Sequence, residues 1–551
     1  MDSTARMRPS LDGERFEVVV IGGGINGVAI ARECAQAGRR TLLLEQHDFG
    51  AGTTSRSTRI IHGGLRYLEY GELGLVRDSL RERQRLLRER PHLVHPLAFV
   101  LALPAGARHS ALTIRTGLWF YRNYAREKNG IKLDASSVER LLDSGRKWTL
   151  FAYQDAQCEF PERLVAEWLT EAVDAGAVAR NHAQVIGLEL QHRRVRAITF
   201  RDELFGEEQR IETSCVVNAS GPWADSVCQR LGVNTARPML GGVRGSHIVL
   251  PLFPGAPQDA VYSEAADGRP FFAIPWNGQI LVGTTEVSDS GNPGAVQPSR
   301  DEVEYLLTSM RRLFPQINFG IADIKSAFAG VRPLPYSRGS TSAATTRRHI
   351  LHNHAEDGVA GMISVIGGKL TTAASVAREC VRKLGFFAVE PAPVLVAPAP
   401  ADGVEAGFRQ WAQQISRIAG INSNSARAIA EWHGHGALQI ARLAGKDERL
   451  RATLCPHSDH LVAEALVAYR LEHAATLGDV LLRRVPVAFS ACWSQECSRT
   501  AATRVGRAMG WSEAEVTRAV EDFEQERRAF LQPAVLDRAT TEPASLPVAS
   551  T

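Results

Sequence analysis

Cysteine is scarce in this chain: 551 residues carry only eight, Cys34, Cys158, Cys215, Cys228, Cys380, Cys455, Cys492 and Cys497. No two of them form a C-x-x-C pair. That scatter argues for reduced thiols and against a disulfide framework or a cysteine cage for a metal. Charge of one sign is also lacking. Sixty-four basic against 60 acidic residues leave a net charge of +4, too little to argue for a nucleic-acid partner. Long apolar runs are missing as well. Leu97–Leu103, and Phe16–Ile21 with Glu17 inside it, are far short of the ~20 residues a spanning helix needs, and Met1–Glu14 lacks the apolar core of a signal peptide. The chain is expected not to cross a membrane, though it can lie on one. Apolar residues at 44% and charged residues at 23% are enough for large cores and rule out general disorder.

The first strong pattern is local. Phe16–Ile21 is a β-branched run that reads as one buried strand. Gly22-x-Gly24-x-x-Gly27 follows, then a helix over Val28–Ala37 with Gly38 at its cap, then a strand over Thr41–Leu44 that ends at Glu45. In this strand–loop–helix context the glycines have a physical task. Gly22 permits the tight turn, Gly24 lets the backbone approach a pyrophosphate, and Gly27 lets helix and strand pack closely. The helix N-terminus presents its positive dipole end to phosphate, and Glu45 is placed to accept from a ribose diol. The stretch Gly50–Ser57, with Thr53, Thr54, Ser55 and Ser57, offers backbone N–H groups and hydroxyls to a flavin rather than a nicotinamide dinucleotide.

Farther along, residues 71–90 read as a charged helix and Glu162–Ala175 as another. Val195–Phe200 and Ile211–Val217 read as strands, and residues 240–345 as a mainly antiparallel sheet. Pro391–Pro400 reads as an extended linker. Helical spacing dominates beyond it, and Ser512 with Glu515 forms a capping-box pattern. Arg77, Arg81, Arg83, Arg85, Arg88 and Arg90 suit either a solvated face or a lipid contact. His349, His352 and His354 alternate as one exposed strand face, and His433, His435, Cys455, His457 and His460 match no standard metal-ligand spacing, so no metal is expected.

Arg59-Ile60-Ile61-His62-Gly63-Gly64-Leu65-Arg66-Tyr67-Leu68-Glu69 closely resembles the signature of FAD-dependent glycerol-3-phosphate dehydrogenases. Val217–Trp223, Gly245–Val249, Gly283–Glu286, Gly330–Leu334 and Gly367–Thr372 follow in that family's order, so the resemblance spans about residues 15 to 530. It implies an α/β protein in which a Rossmann-like FAD domain (mainly 15–70, 160–240 and 345–390) is interleaved with an antiparallel-sheet substrate domain (mainly 71–159 and 241–344). An all-α C-terminal domain would occupy 401–531, between a flexible N-terminus (1–14) and a loose tail (532–551). It further implies oxidation of sn-glycerol 3-phosphate to dihydroxyacetone phosphate, electrons passed to a membrane quinone, and a peripheral place on the cytoplasmic face, with a homodimer allowed; an oxidase passing electrons to oxygen and a non-catalytic FAD-retaining sensor are the alternatives, and the lack of any clear His or Cys in Gly50–Thr58 to link a flavin points to tight non-covalent FAD.

The residues can be assigned accordingly. Arg66 and Arg332 suit a phosphate, because planar guanidinium forks bind it bidentately; Tyr67 can add a hydroxyl. Lys369 can touch substrate or flavin. His62 and His247 are both candidates for the base that takes the hydroxyl proton, and Arg332 can also steady a developing alkoxide. The FAD contacts implied are Gly22, Gly24, Ile25, Asn26, Gly27, Glu45, Thr53, Thr54, Ser55, Ser57, Gly63, Gly64, Leu65, Val185, Ala219, Gly221, Trp223, Gly368, Lys369, Leu370 and Thr371. Arg59 and Glu286 stand where many members carry Lys and Asp, changes that keep the charge.

Overall fold

The computed structural model describes residues 8–65, 67, 71–107, 110–125, 135–337, 348–387, 404–532 and 534–536. Arg66, the linker 391–400 and most of the tail lie outside the described residues.

The buried run Val18–Ile21 is the centre of a six-stranded sheet, because every residue in it is apolar and covered on both faces. Its order is Ile350–Asn353, Met362–Ile366, Val216–Asn218, Val18–Ile21, Thr41–Leu44, Val178–Arg180, parallel except at the Ile350–Asn353 edge. Helices Ile25–Gln36, Pro161–Asp174 and Ala373–Lys383 pack against one another beside it, with Val28, Leu164, Leu169 and Val376 fully buried. Gly38 takes φ +73° just past the first helix, as its capping position requires.

Two expected strands are broken. Phe16–Ile21 divides at Glu17, and Ile211–Val217 divides at Ser214 and Cys215. The upstream halves, Arg15–Phe16 and Glu207–Thr213, pair with each other in a separate four-stranded sheet with Arg194–Asp202 and Ala183–Gln191. The downstream halves enter the six-stranded sheet. Residues 8–14, expected to be flexible, are packed instead: Leu11 is buried and the Arg8 guanidinium donates to the Asn181 carbonyl at 2.6 Å.

The third sheet has nine strands and is mainly antiparallel. Its long members are Val94–Pro104, Trp148–Cys158, Leu240–Pro251 and Ser326–Pro335. Ile60–Ile61, from the motif after the dinucleotide loop, pairs with Trp148–Cys158 and so stitches the two sheets together. Helices follow from Val404–Ala419 to Glu513–Leu531, the last opened by the Ser512–Glu515 capping box. Among the described residues, no helix is long and apolar enough to cross a membrane.

Candidate functional site

The dinucleotide loop is built by close approach. A Cβ on Gly27 would stand 1.8 Å from the Gly22 carbonyl oxygen, and one on Gly22 would stand 2.7 Å from Ser220 Cα, at φ +104°. Gly24 differs: a Cβ there meets only Thr54 Oγ1, at 3.5 Å. Space is therefore kept open at that position. The helix behind it has no side-chain cap and no acidic residue in its first turn, so the positive end of its dipole faces the cavity unneutralised. Thr54 Oγ1 accepts from Ile25 N at 3.1 Å, which holds the Gly50–Ser57 stretch against the loop. The buried amide oxygen of Asn26 has no hydrogen-bond partner. Such an orphan, an open cradle and an uncapped helix start fit a phosphate-bearing cofactor with its own donors.

Glu45 is half-buried on the cavity wall, and burial raises its pKa against the hydrogen bonds it accepts from His47 N at 2.8 Å and Gly23 N at 2.6 Å. Asn218 fixes the neighbouring turn. Its amide donates to Ala224 O at 3.0 Å and Ser364 Oγ at 3.2 Å, and its oxygen accepts from Ser220 Oγ at 2.6 Å. This places Ala219, Gly221 and Trp223 on the wall of a single cavity of about 1820 Å³.

Gly22, Gly24, Ile25, Asn26, Glu45, Thr53, Thr54, Ser57, Gly64, Leu65, Val185, Gly368, Leu370 and Thr371 line the same cavity. Gly27 does not, and works as a packing position behind the loop. Ser55 and Gly63 are corrections to the expected contacts. The Ser55 hydroxyl donates to Gly50 O at 2.7 Å, and Gly63 N turns toward Tyr121 Oη at 2.8 Å, so both stand behind the wall.

Two groups of polar side chains face the cavity away from the loop. In the first, Lys369 Nζ lies 3.7 Å from the centre of the Tyr67 ring, His62 is 6.2 Å from that ring, and Thr371 Oγ1 accepts from His62 N at 3.2 Å. The helix that follows begins at Ala373. In the second group, Arg332 Nη2 donates to Thr284 Oγ1 at 3.2 Å and its Nη1 lies 3.7 Å from Glu286. His247 is wedged against Phe328 with Nε2 2.9 Å from Thr58 Oγ1. Burial, then the positive charges of Arg332 and Arg59, push its pKa down to about 3. His247 is thus a neutral imidazole held by a threonine. Arg59 makes a fully buried bidentate pair with Glu162, both bonds at 2.9 Å, and sits over the Trp276 ring.

Several cavity residues have no signature in the sequence. His473, Thr476, Arg483, Glu526 and Phe530, from the C-terminal helices, complete the wall. Arg483 and Arg484 reach across to Asp48, with Arg484 bidentate at 2.8 Å, and Arg483 also pairs with Glu526 at 2.7 Å. The turn after Glu45 is thereby bound to the helical region.

The arginine-rich helix forms as Leu73–Glu89. Arg83 is buried against Asp155 at 2.7 Å, and Arg85 pairs with Glu89 at 2.6 Å, so part of its charge is neutralised within the protein. The histidine run is also different from its expected exposed face. His354 is fully buried, with Asp357 on Nδ1 at 2.8 Å and Ser364 on Nε2 at 2.7 Å.

Residues 17–374 match the profile of the FAD dependent oxidoreductase family, and residues 398–516 match that of the C-terminal domain of alpha-glycerophosphate oxidase. A glycerol-3-phosphate dehydrogenase of Synechocystis is 38% identical over 87% of this chain and 90% of its own length. A D-erythritol 1-phosphate dehydrogenase of Brucella abortus is 30% identical over 86% of this chain and 94% of its own. The structure of a glycerol-3-phosphate dehydrogenase from Bacillus halodurans complexed with FAD aligns over 96% of both chains with a TM-score of 0.73 at 23% identity, and shares the fold. With a phosphate cradle open at Gly24 and these relatives along nearly its whole length, the chain belongs to the FAD-dependent glycerol-3-phosphate dehydrogenase family of oxidoreductases, and its cofactor is FAD.

Proposed function

We propose that the protein oxidises sn-glycerol 3-phosphate to dihydroxyacetone phosphate and that the electrons leave to a membrane quinone. The observation that carries the substrate reading is one cavity with a dinucleotide cradle in one wall and Arg332, Lys369, His62 and Tyr67 in others. Bound FAD supplies the acceptor for the hydride of the carbinol carbon.

The protein's own groups do the rest. The Gly22–Gly27 loop and the start of helix Ile25–Gln36 hold the pyrophosphate, while Glu45 keeps lone pairs for the ribose diol. Asn26 Oδ1 would accept from a donor of the bound cofactor. Arg332, pre-oriented by Thr284 and Glu286, takes the substrate phosphate through its guanidinium. Lys369, steadied over the Tyr67 ring, adds the second positive charge. Of the two histidines, His62 is the better base for the hydroxyl proton. His247 binds a proton only near pH 3, and its Nε2 is engaged by Thr58; it serves to hold the wall.

The membrane reading rests on helix Ala111–Ala125 rather than on the arginine-rich helix. Leu118 and Tyr121 anchor it in the core, while Leu112 (72% exposed), Trp119 (61%), Phe120 and Tyr124 stand in solvent. Ile114 of the same helix lines the cavity. An amphipathic element with exposed aromatic residues and one side chain on the cavity wall suits contact with the membrane interface, where a quinone is reached. The acceptor is tested by reducing the enzyme anaerobically with sn-glycerol 3-phosphate and then adding a short-chain quinone or oxygen. The quinone should reoxidise the flavin much faster; fast reoxidation by oxygen with stoichiometric hydrogen peroxide would make the protein an oxidase.

A further inference from the structure

Two short segments of the C-terminal helical region converge at a point outside the cavity wall. One is Cys455-Pro456-His457, in the loop that precedes helix Val462–Leu471. The other is Cys492 to Cys497, which runs into helix Gln495–Met509. Cys455 Sγ, a ring nitrogen of His457 and Cys497 Sγ all lie within 4.8 Å of one another. Cys497 Sγ donates to the Cys492 carbonyl at 3.7 Å, which sets Cys492 beside the other three. None of the four lines the cavity.

We propose that Cys455, His457, Cys492 and Cys497 form a structural zinc site of the Cys₃His type, in which the metal pins the loop before one helix to the start of another. The chemistry of the donor set selects the ion. Three thiolates and one imidazole are soft and borderline ligands that suit tetrahedral zinc, and Cys492-x₄-Cys497 has a spacing used by zinc-binding pairs. The geometry is close to that required. A tetrahedral ion with Zn–S near 2.3 Å sets its sulfurs about 3.8 Å apart, so Cys455, His457 and Cys497 need to draw in by only about an ångström, and the exposed Cys492 side chain supplies the fourth donor. The surroundings of Cys497 favour its thiolate. Ser494 Oγ donates to Cys497 Sγ at 3.5 Å, and Cys497 lies in the first turn of its helix, where the dipole stabilises negative charge.

A single disulfide would use two of the three sulfurs and give the third, and the imidazole, nothing to do. Binding of one Zn²⁺ instead engages all four groups, releases the three thiol protons to solvent and changes no oxidation state. Cys455 and Cys497 are buried while His457 and Cys492 are exposed, so an ion can enter from solvent. A second convergence, His352, His354 and Asp357, is different: both ring nitrogens of His354 are already engaged by Asp357 and Ser364, a brace for the Asn218 turn.

The test is metal analysis of the full-length holoenzyme after dialysis against a weak chelator. About one zinc per chain is expected, falling at least tenfold in Cys492→Ser/Cys497→Ser. His457 is exposed, so His457→Ala should fold and bind zinc more weakly, whereas His457→Cys should keep it. Cobalt exchanged into the parent should show the intense ligand-field bands of a tetrahedral thiolate site. The rate of anaerobic flavin reduction by sn-glycerol 3-phosphate should stay within about twofold in all these variants. Zinc-free enzyme that takes up none when supplied, zinc unchanged in the variants, or a disulfide between any two of these cysteines in freshly purified protein would each overturn the proposal.

Discussion

Arg332 separates substrate binding from both folding and cofactor binding, and its surroundings fix the size of each effect. It lies within strand Ser326–Pro335, with its side chain 29% exposed and Glu286 3.7 Å away. An ion pair that open to water contributes about 0–1 kcal/mol. Arg332→Ala should therefore cost at most about 1 kcal/mol of stability and leave FAD content unchanged. The contact with a phosphate dianion is another matter, since a charge-assisted hydrogen bond is worth about 1.5–3 kcal/mol. The loss in kcat/KM for sn-glycerol 3-phosphate should be roughly ten- to hundredfold or somewhat more. Arg332→Lys keeps the charge but not the fork, and should recover part of the loss. Glycerol, which has no phosphate, is the control; its very poor turnover should change far less. The assay is steady-state reduction of a dye acceptor with both substrates, alongside flavin absorbance and thermal melting. If Arg332→Ala depresses glycerol and glycerol 3-phosphate turnover equally, Arg332 is not a phosphate anchor, and a role at the reacting carbinol replaces it. Arg66 is expected to behave in the same way on the strength of its motif.

Gly24→Val should purify folded but without flavin, because its side chain has room only where the pyrophosphate belongs, whereas Gly27→Ala should lose the fold of the loop itself, having a backbone oxygen 1.8 Å away; yellow Gly24→Val would refute the cradle. His433→Ala should lower the melting temperature yet leave anaerobic flavin reduction within a few-fold, since His433 and His460 both hold the buried Glu464 carboxylate at 2.8 Å. Stability should fall on acidification well before carboxylates titrate. Burial, then Arg332, holds His247 near 3, and burial, then Arg484, holds His473 near 4, while unfolded imidazoles bind protons near ~6.5. The unfolded state therefore takes up more protons below that value, and each histidine should cost about 2 kcal/mol by pH ~5. His182, whose pKa is raised by Asp479 against its burial, works in the opposite sense. A urea midpoint that does not move between about pH 7 and 5, or a slope unchanged in His473→Asn, would contradict this.

The parts of the site legible in the sequence are those where backbone geometry constrains residue type. At Gly22 and Gly27 any side chain collides with main chain, so glycine itself records the turn and the close approach. The acidic end of the second strand and the capping box at Ser512 are readable for the same reason, as local hydrogen bonds at fixed spacing. Features set by distant partners were opaque. Nothing near Glu17 or Ser214 announces that one apolar run serves two sheets, because the break depends on which strands arrive beside it. His354 follows an alternating pattern that suggests exposure, but Asp357 and Ser364 satisfy both of its nitrogens and allow full burial. Arg83 and Arg85 read as exposed charge until Asp155 and Glu89 come alongside. The C-terminal contribution to the cavity is carried by residues such as Phe530 and Arg483, which belong to no local motif. The Cys492-x₄-Cys497 spacing was present throughout, but its partners Cys455 and His457 sit beside histidines that Glu464 claims, and only folding separates the two groups.

The central claim, that this cavity oxidises glycerol 3-phosphate on bound FAD, is tested most directly by mixing the purified yellow enzyme with sn-glycerol 3-phosphate in the absence of oxygen and of any acceptor. The visible flavin band should bleach in a single turnover, with one dihydroxyacetone phosphate formed per flavin, and the opposite enantiomer and D-erythritol 1-phosphate should bleach it far more slowly. A flavin that stays oxidised with sn-glycerol 3-phosphate, or one that D-erythritol 1-phosphate reduces faster, would contradict the account.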